Sequence, residues 1–336
     1  MGFRDFWDYS TVLISSISAR ATMVAQIPKS HKSRFRHNSV VQTISSYLLL
    51  LTLVSCTSTI APTSTFTYHF QLPVANLHRL DAAHEQYVLW LKMRTDNGIV
   101  WNAVQLAVTN LGVNDSLIWT GDLTLHEPSD SIERAVLSIE PPVIPATPSS
   151  KLIAGAFIGG SLNSASLTTS DSEGIGDYST ASGSVLFTTK SSDTNRAKSE
   201  FYLMQINNGI PAASLQNLPL PKAGWVYGLW VLDSNFYPLH QFFYGSFANA
   251  AGPDTDPTNE GFPFPGGFRP APLNDPGAKL EITLEPSFAV QNNTPSGPSS
   301  IPILWLQLQR FIDFNESLGL QNSWSGATPS GTLSIY

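Results

Sequence analysis

The sequence predicts an all-β protein, in which an N-terminal signal segment precedes two related antiparallel β-sandwich domains that arose by tandem duplication. Residues 66–72 alternate between apolar and polar side chains with a period of two, as a half-buried strand does. Residues 87–91 are β-branched and aromatic, and Asn97-Gly98 after them is a strong hairpin signal. Blocks of similar sequence then recur in the second half of the chain, which suggests the duplication.

Shorter strands and frequent breaks support the same fold class. Residues 100–108 are the expected return strand of the hairpin, and residues 135–139 and 280–284 are further short strands. The 24 prolines fall between such runs, where proline blocks both helix continuation and strand pairing. Residues 77–85 and 307–318 are the best helical windows, and they predict a few turns at most.

Three sequence blocks occur twice in the same order. The pairs are Tyr87-Val88-Leu89-Trp90-Leu91 with Tyr227-Gly228-Leu229-Trp230-Val231, residues 133–141 with 278–286, and residues 148–153 with 298–303. Their offsets drift by only a few residues, which favours duplication of one β-domain over coincidence among β-rich segments. The expected boundaries are residues 66–172 for the first copy, 173–199 for a polar linker and 200–336 for the second copy. Two separate sandwiches and two half-sheets that close one larger sandwich both satisfy this pattern.

The N-terminal part has the layout of a secretory signal. A cluster of four basic residues, Lys29, Lys32, Arg34 and Arg36, lies shortly before the apolar run of residues 47–54. This run is too short to span a bilayer as a helix. The run ends in Leu53-Val54-Ser55-Cys56, and Cys56 is the only cysteine. We expect residues 1–55 to be the signal, with Met23 as an alternative start, and residues 56–65 to be a polar tether.

This segment resembles the signal of bacterial lipoproteins, in which a Leu-x-Ser/Ala/Gly-Cys box ends the apolar run. The resemblance implies that Cys56 carries acyl chains such as palmitate and becomes the first residue of the mature protein. Several chains on one cysteine would hold a protein firmly to a membrane, whereas a single chain binds only marginally. The alternatives are a cleaved secretion signal without a lipid and a buried thiol in a core strand.

The repeated blocks resemble the extracytoplasmic domain of anti-sigma-K factors. The shared pattern is a Tyr-x-Leu-Trp strand, a later strand that ends in Glu-Pro, and a Pro-Ser turn before a final apolar strand. The matching residues are Tyr87, Leu89, Trp90, Glu140, Pro141 and Pro148 in the first copy, and Tyr227, Leu229, Trp230, Glu285, Pro286 and Pro298 in the second. The resemblance covers most of residues 66–310 and implies a β-sandwich with a sensing or binding role outside the cytoplasm. The sequence shows no transmembrane helix after a sigma-binding segment, so control of a sigma factor is not implied.

Composition restricts the functions that the chain can have. Charged residues make up only 13% of the chain and the net charge is −7, while the segment before Cys56 is net positive, so the remainder is still more acidic. Because phosphate binding needs a basic surface, we do not expect nucleic acid as a partner. One cysteine cannot form an internal disulfide framework, and no cofactor is predicted.

The sequence offers few candidate site residues. Glu140 and Glu285, in the two Glu-Pro steps, are either symmetric ligand contacts or carboxylates that accept backbone N–H groups at strand ends. Phe262, Phe264 and Phe268 lie in a segment rich in Gly and Pro, which we expect to be a surface loop. Three rings on such a loop either mark an interaction site or fold back onto the body. No catalytic residue is predicted, since neither a Gly-x-Ser-x-Gly elbow nor the paired carboxylates of glycoside hydrolases occur. No metal site is predicted either, because His78 and His84, six residues apart, do not share a helix face and no third ligand is nearby.

These observations predict a lipid-anchored protein of the cell envelope, on the outer membrane or the cell surface. We expect a non-catalytic binding role toward a protein or glycan partner. The alternatives are an envelope or polysaccharide hydrolase with its site between the two β-domains, and a structural envelope component. Two carboxylates that face each other across a cleft would favour the hydrolase, and an exposed aromatic platform would favour binding.

Overall fold

The chain divides into two units, Met1–Ala61 and Pro62–Tyr336, and the structure describes only residues of the second. In this computed structural model the described residues are 65–77, 80, 83–106, 115–157, 163–188, 200–233, 240–255, 264–268, 278–291, 297, 301–308, 316–324 and 328–336.

The described residues lie in strands and their connections, which include a turn of 3-10 helix at Ser129–Ser131. The strands are β1 (Phe66–Ala75), β2 (Gln86–Thr95), β3 (Gly98–Leu106), β4 (Leu117–Leu125), β5 (Ile132–Glu140), β6 (Ser150–Ala156), β7 (Ser164–Thr168), β8 (Ser184–Thr188), β9 (Glu200–Tyr202), β10 (Met204–Asn207), β11 (Ile210–Ala213), β12 (Trp225–Asp233), β13 (His240–Phe247), β14 (Gly266–Phe268), β15 (Lys279–Pro286), β16 (Pro302–Gln307), β17 (Glu316–Gly319), β18 (Gln321–Asn322) and β19 (Ser330–Ile335).

The strands pair antiparallel in four sheets, which confirms the predicted fold class. The first sheet has the order β3-β2-β5-β6-β7-β19-β1-β4, and the second has the order β13-β12-β15-β16-β18. A third sheet has the order β14-β9-β8-β17, and β10 and β11 form a separate hairpin.

The predicted strands and hairpin of the first half are confirmed. In β1, Phe70, Leu72 and Val74 are buried while the residues between them are more exposed, as the period of two requires. Strand β3 pairs with β2 along its full length, from Thr95↔Gly98 to Tyr87↔Leu106, so the hairpin turn consists of Asp96 and Asn97.

One main cluster of buried apolar side chains joins the first, second and third sheets. Tyr87 and Leu89 enter it from β2, and Tyr227 and Leu229 enter it from β12. The indole Nε1 of Trp225 donates to the carbonyl of Lys151 at 3.0 Å, so hydrogen bonds also link β12 to β6. Of the two packing options, the described residues follow the one with a single shared core, and the predicted division into two domains is not confirmed.

Four strands of each large sheet have the same order, β3-β2-β5-β6 and β13-β12-β15-β16. Tyr87 lies opposite Ile139 and Tyr227 lies opposite Leu284, in agreement with the sequence alignment of the blocks. The register shifts between Leu137 and Ser138 in one sheet and between Ile282 and Thr283 in the other, which are equivalent positions. Common descent of these two sets of four strands stays a prediction.

Several segments differ in detail from the expectations. Strand β19, in the predicted second copy, lies in the first sheet between β7 and β1. The predicted polar linker contains β8, in which Val185, Leu186 and Phe187 are buried. Residues 316–318, in a window with helical periodicity, belong to strand β17, whose partner is β8. Pairing with a neighbouring strand overrides the weak local preference in such cases.

Candidate functional site

Glu140 is buried at the end of β5 and bonded to the following turn. One carboxylate oxygen accepts the backbone N–H of Ser149 at 2.8 Å, and the other accepts the Ser149 hydroxyl. Its side chain is fully buried. Glu140 therefore has the structural role of a strand-end carboxylate that closes the turn before β6.

Glu285, its counterpart in the repeat, is also buried but has different partners. Its Oε1 accepts the indole N–H of Trp230 at 2.9 Å and the hydroxyl of Thr283. Both Trp230 and Glu285 are 1% exposed. Because neither repeated glutamate reaches the surface, their shared position reflects packing at the end of a strand, and they do not form a pair of exposed ligand contacts.

The three candidate phenylalanines do not all lie in a loop. Phe264 is buried against Leu186, Tyr202 and Met204, so its ring folds back onto the third sheet. Phe268 ends strand β14, which pairs with β9 at the edge of that sheet. The expectation of a surface loop is therefore wrong for residues 266–268. Phe262 lies outside the described residues, as does Cys56.

A charged cluster that the sequence did not reveal covers part of the outer face of the first sheet. The segment of residues 169–178, called the strap here, follows β7 and brings Asp171 and Glu173 to this face. Arg134 pairs with Asp171. The ammonium of Lys92 lies 3.1 Å from Glu173 Oε1, and that of Lys151 lies 2.6 Å from Glu173 Oε2. The strap is thereby fixed to β2, β5 and β6.

Trp101, on β3, lies beside these charges. The ammonium groups of Lys92 and Lys151 are 5.6 Å and 5.4 Å from the centre of its ring, within the range of a cation–π interaction. Its other neighbour is the buried ring of Trp90, which it meets edge-on at 6.4 Å between ring centres. This half-buried indole is thus fixed by charges and by an aromatic contact.

Glu173 is kept ionised by the cluster. Burial alone would raise its pKa, but hydrogen bonds and charge attraction from Lys151 and Lys92 lower the pKa below the usual value.

Gly174 makes the tight turn of the strap possible, since a Cβ there would lie 2.4 Å from the carbonyl oxygen of Thr169. The sequence signal that could have indicated the strap is the run Asp171-Ser172-Glu173-Gly174, in which two acidic residues alternate before a glycine. Such runs are usually solvated connectors.

The outer face of the second sheet has a smaller charged group. Lys279 pairs with Glu281 on β15, and its ammonium lies 4.8 Å from the ring centre of Trp305. Lys279 occupies the position equivalent to Arg134 in the aligned blocks. The described residues contain no three His, Cys, Asp or Glu side chains grouped as metal ligands.

Comparisons with known proteins do not identify a family. No protein-family model, no curated protein and no solved structure matches this chain. Among the described residues, no helix has the length and apolar character needed to cross a bilayer.

Proposed function

We propose that this protein is a bacterial lipoprotein of the cell envelope, anchored through Cys56, whose β-body serves in binding or interaction without catalysis. The observation that carries the proposal is Leu53-Val54-Ser55-Cys56 at the end of a basic and then apolar segment, in a chain with no other cysteine. Acyl chains on Cys56, such as palmitate, would hold the body on the outer membrane or the cell surface.

The start of the folded unit agrees with this anchor. The compact unit begins at Pro62 and its first strand begins at Phe66, ten positions after Cys56. A segment of that length reaches at most about 35 Å when extended. An anchored body would therefore stay close to the membrane surface, as a receptor or scaffold for a neighbouring protein or glycan requires.

A binding role has more support than hydrolysis. The repeated carboxylates Glu140 and Glu285 are buried and engaged by protein groups, so they do not supply a pair of acids open to a polymer. The aromatic Tyr-x-Leu-Trp strands, similar to those of anti-sigma-K extracytoplasmic domains, lend support to a sensing or binding body. Phe262 and Phe268 remain candidate contacts for a partner, whereas Phe264 is buried and is no longer a candidate.

The anchor is tested by Cys56→Ala. We expect this variant to leave the membrane fraction or to retain its signal, while the wild-type chain incorporates a fatty-acid analogue into Cys56. Ser55→Ala is the matched control, because it keeps a small residue before the cysteine and should still be labelled. A Cys56→Ala variant that is cut at the same place and stays in the membrane fraction would contradict the proposal.

The role of the body is tested on envelope polysaccharides. Retention of the protein on purified cell-wall glycan without release of reducing ends supports glycan binding. Release of reducing ends would support the hydrolase alternative. If neither occurs, the remaining readings are a protein partner and a structural component, which differ in whether a specific envelope protein cross-links to the chain.

A further inference from the structure

Strand β3 is a long edge strand with an open side. All nine of its residues pair with β2, and in the part of the chain that the structure describes no strand pairs with its other side. Ile99 is 56% exposed and Val100 is 44% exposed. Their side chains point to opposite faces, so apolar surface is exposed on both sides of this edge.

Natural proteins usually protect such edges with a lysine, a proline, a bulge or a short strand. Strand β3, Gly98–Leu106, has no charge, no proline and no register shift against β2. The opposite edge strand of this sheet, β4, carries Asp122, which pairs with His69. Strands β14 and β18 are short edges of three and two residues. Among these described edges, β3 is thus the unprotected one.

The backbone of β3 presents a symmetric set of hydrogen-bonding groups on its open side. A two-residue turn closes on a hydrogen-bonded pair, here Thr95 and Gly98, and in an antiparallel ladder the direction of the backbone groups then alternates along the strand. The N–H and C=O groups that point away from β2 are therefore those of Ile99, Trp101, Ala103 and Gln105. These four residues are arranged symmetrically about Asn102, the central residue of the strand.

We propose that β3 pairs antiparallel with β3 of a second copy of this chain, around a twofold axis at Asn102. This register places Ile99 opposite Gln105 of the second copy and Trp101 opposite Ala103 of the second copy, so all four outward residues are hydrogen-bonded in both chains. The two eight-stranded sheets become one continuous sheet. A twofold contact of this kind is closed, because the same surface is used by both copies.

The side chains of β3 suit this self-pairing. The large Trp101 faces the small, exposed Ala103, which avoids opposing two indoles in the centre of the contact. On the other face, the exposed Val100 lies opposite Val104, a β-branched pair of the kind that stabilises sheets. The strand has no charge that would face its own copy, and like charges directly opposite each other are destabilising.

Disulfide cross-linking of the full chain in the envelope of producing cells tests the register. Asn102 lies on the axis in a position whose backbone does not bond across it, where opposed residues are closest, so Asn102→Cys should give a disulfide-linked dimer after mild oxidation. Gln105→Cys is the matched control on the same strand, since its two copies lie six residues apart in register and should not form a disulfide. Both variants are made with Cys56 present and in a Cys56→Ala background, because this inference does not rest on the anchor.

A second pair of variants tests the dimer without new cysteines. Ala103→Pro removes an N–H that the second copy must accept, while the pairing with β2 uses the residues on either side of it, so this variant should abolish the dimer, measured as the mass of the purified full chain in detergent. Ala103→Ser keeps that N–H and should leave the dimer intact. A cross-link for both cysteine variants or for neither, or a monomeric wild-type chain, would overturn the inference.

Discussion

The Trp90 and Trp230 regions share a strand order but differ in the group that accepts the hydrogen bond of the indole N–H. Both rings are 1% exposed and lie on the outer side of their sheets, one residue after a leucine that enters the common core. Trp90 donates to the hydroxyl of Ser138 at 2.8 Å, whereas Trp230 donates to the carboxylate of Glu285 at 2.9 Å. The strand order is the same, and so is the register of β2 with β5 and of β12 with β15 around the two indoles, but β12 shifts its register against β13 between Gly228 and Trp230, whereas β2 pairs with β3 without a shift.

One residue accounts for much of this difference. Val88 in β2 is replaced at the equivalent position of β12 by Gly228, and a Cβ on Gly228 would lie 2.7 Å from Cγ of Glu285 and 2.8 Å from Nε1 of Trp230. The missing side chain leaves room for Glu285 to lie beneath the indole. In the first sheet the buried Val88 fills that space, and Glu140 bonds to the next turn instead.

The comparison teaches that a repeated sequence motif can keep its geometry while its polar residues acquire different tasks. Glu140 and Glu285 align in sequence, in register and in burial, but not in partners. An argument from the motif alone would assign them one shared function.

Removal of the indoles should have the largest effect. Trp90→Ala and Trp230→Ala should each lower the free energy of unfolding by about 3–5 kcal/mol, because a buried ring is lost and a cavity remains. The loss should be greater for Trp230→Ala, because this substitution removes a hydrogen-bond donor from the buried carboxylate of Glu285, whereas Trp90→Ala removes one from the hydroxyl of Ser138. Urea denaturation of the purified variants measures both values, with the exposed Ile118→Ala as control. Equal losses would show that the two environments do not differ energetically.

Gly228→Ala should have an intermediate effect. The added Cβ overlaps the Glu285 and Trp230 side chains, and overpacking of this kind costs about 1–3 kcal/mol. Gly319→Ala is the matched control, because a Cβ there meets nothing within 4 Å, and it should be neutral. Thermal or urea unfolding distinguishes the two substitutions. Similar stability of both variants would mean that Gly228 is not what makes room for Glu285.

The strap should give the smallest effect, visible in acid. Because the folded-state pKa of Glu173 is lowered, its ionised form stabilises the fold at neutral pH. This contribution begins to disappear as the pH falls through the ordinary value of 4.5 and is lost once the pH passes below the folded-state pKa. Glu173→Gln should therefore reduce stability at neutral pH, by about 1 kcal/mol or less for such partly exposed ion pairs, and flatten the acid dependence. Glu133→Gln, from the exposed pair with Arg94, is the control. An unchanged acid profile in Glu173→Gln would exclude this role.

The sequence alone was sufficient for the strands whose signal is local. The alternation in β1 and the turn signal around Asn97 report on neighbouring residues, so β1, β2 and β3 could be predicted. The return of β19 to the first sheet and the edge position of β14 depend on partners far away in the chain, which no local pattern encodes. The candidate site was harder still. Only its burial and its hydrogen bonds to Ser149 distinguish Glu140 from a ligand contact, and neither is visible in the sequence. In sequence the strap resembles an ordinary polar connector, because its ion pairs with Arg134, Lys92 and Lys151 depend on distant strands.

The position of β19 has a consequence for how the body can be made. This strand is inserted between β1 and β7, so without it the eight-stranded sheet would separate into β4-β1 and the remaining five strands. Gln71 and Tyr336, whose side chains are hydrogen-bonded beside these strands, are 265 residues apart in the chain. Because a chain is synthesised from its N-terminus, β1 must remain without one of its two neighbouring strands until nearly the whole chain has emerged. Long-range pairing of this kind is intrinsically slow, so completion of the eight-stranded sheet becomes the final step of folding.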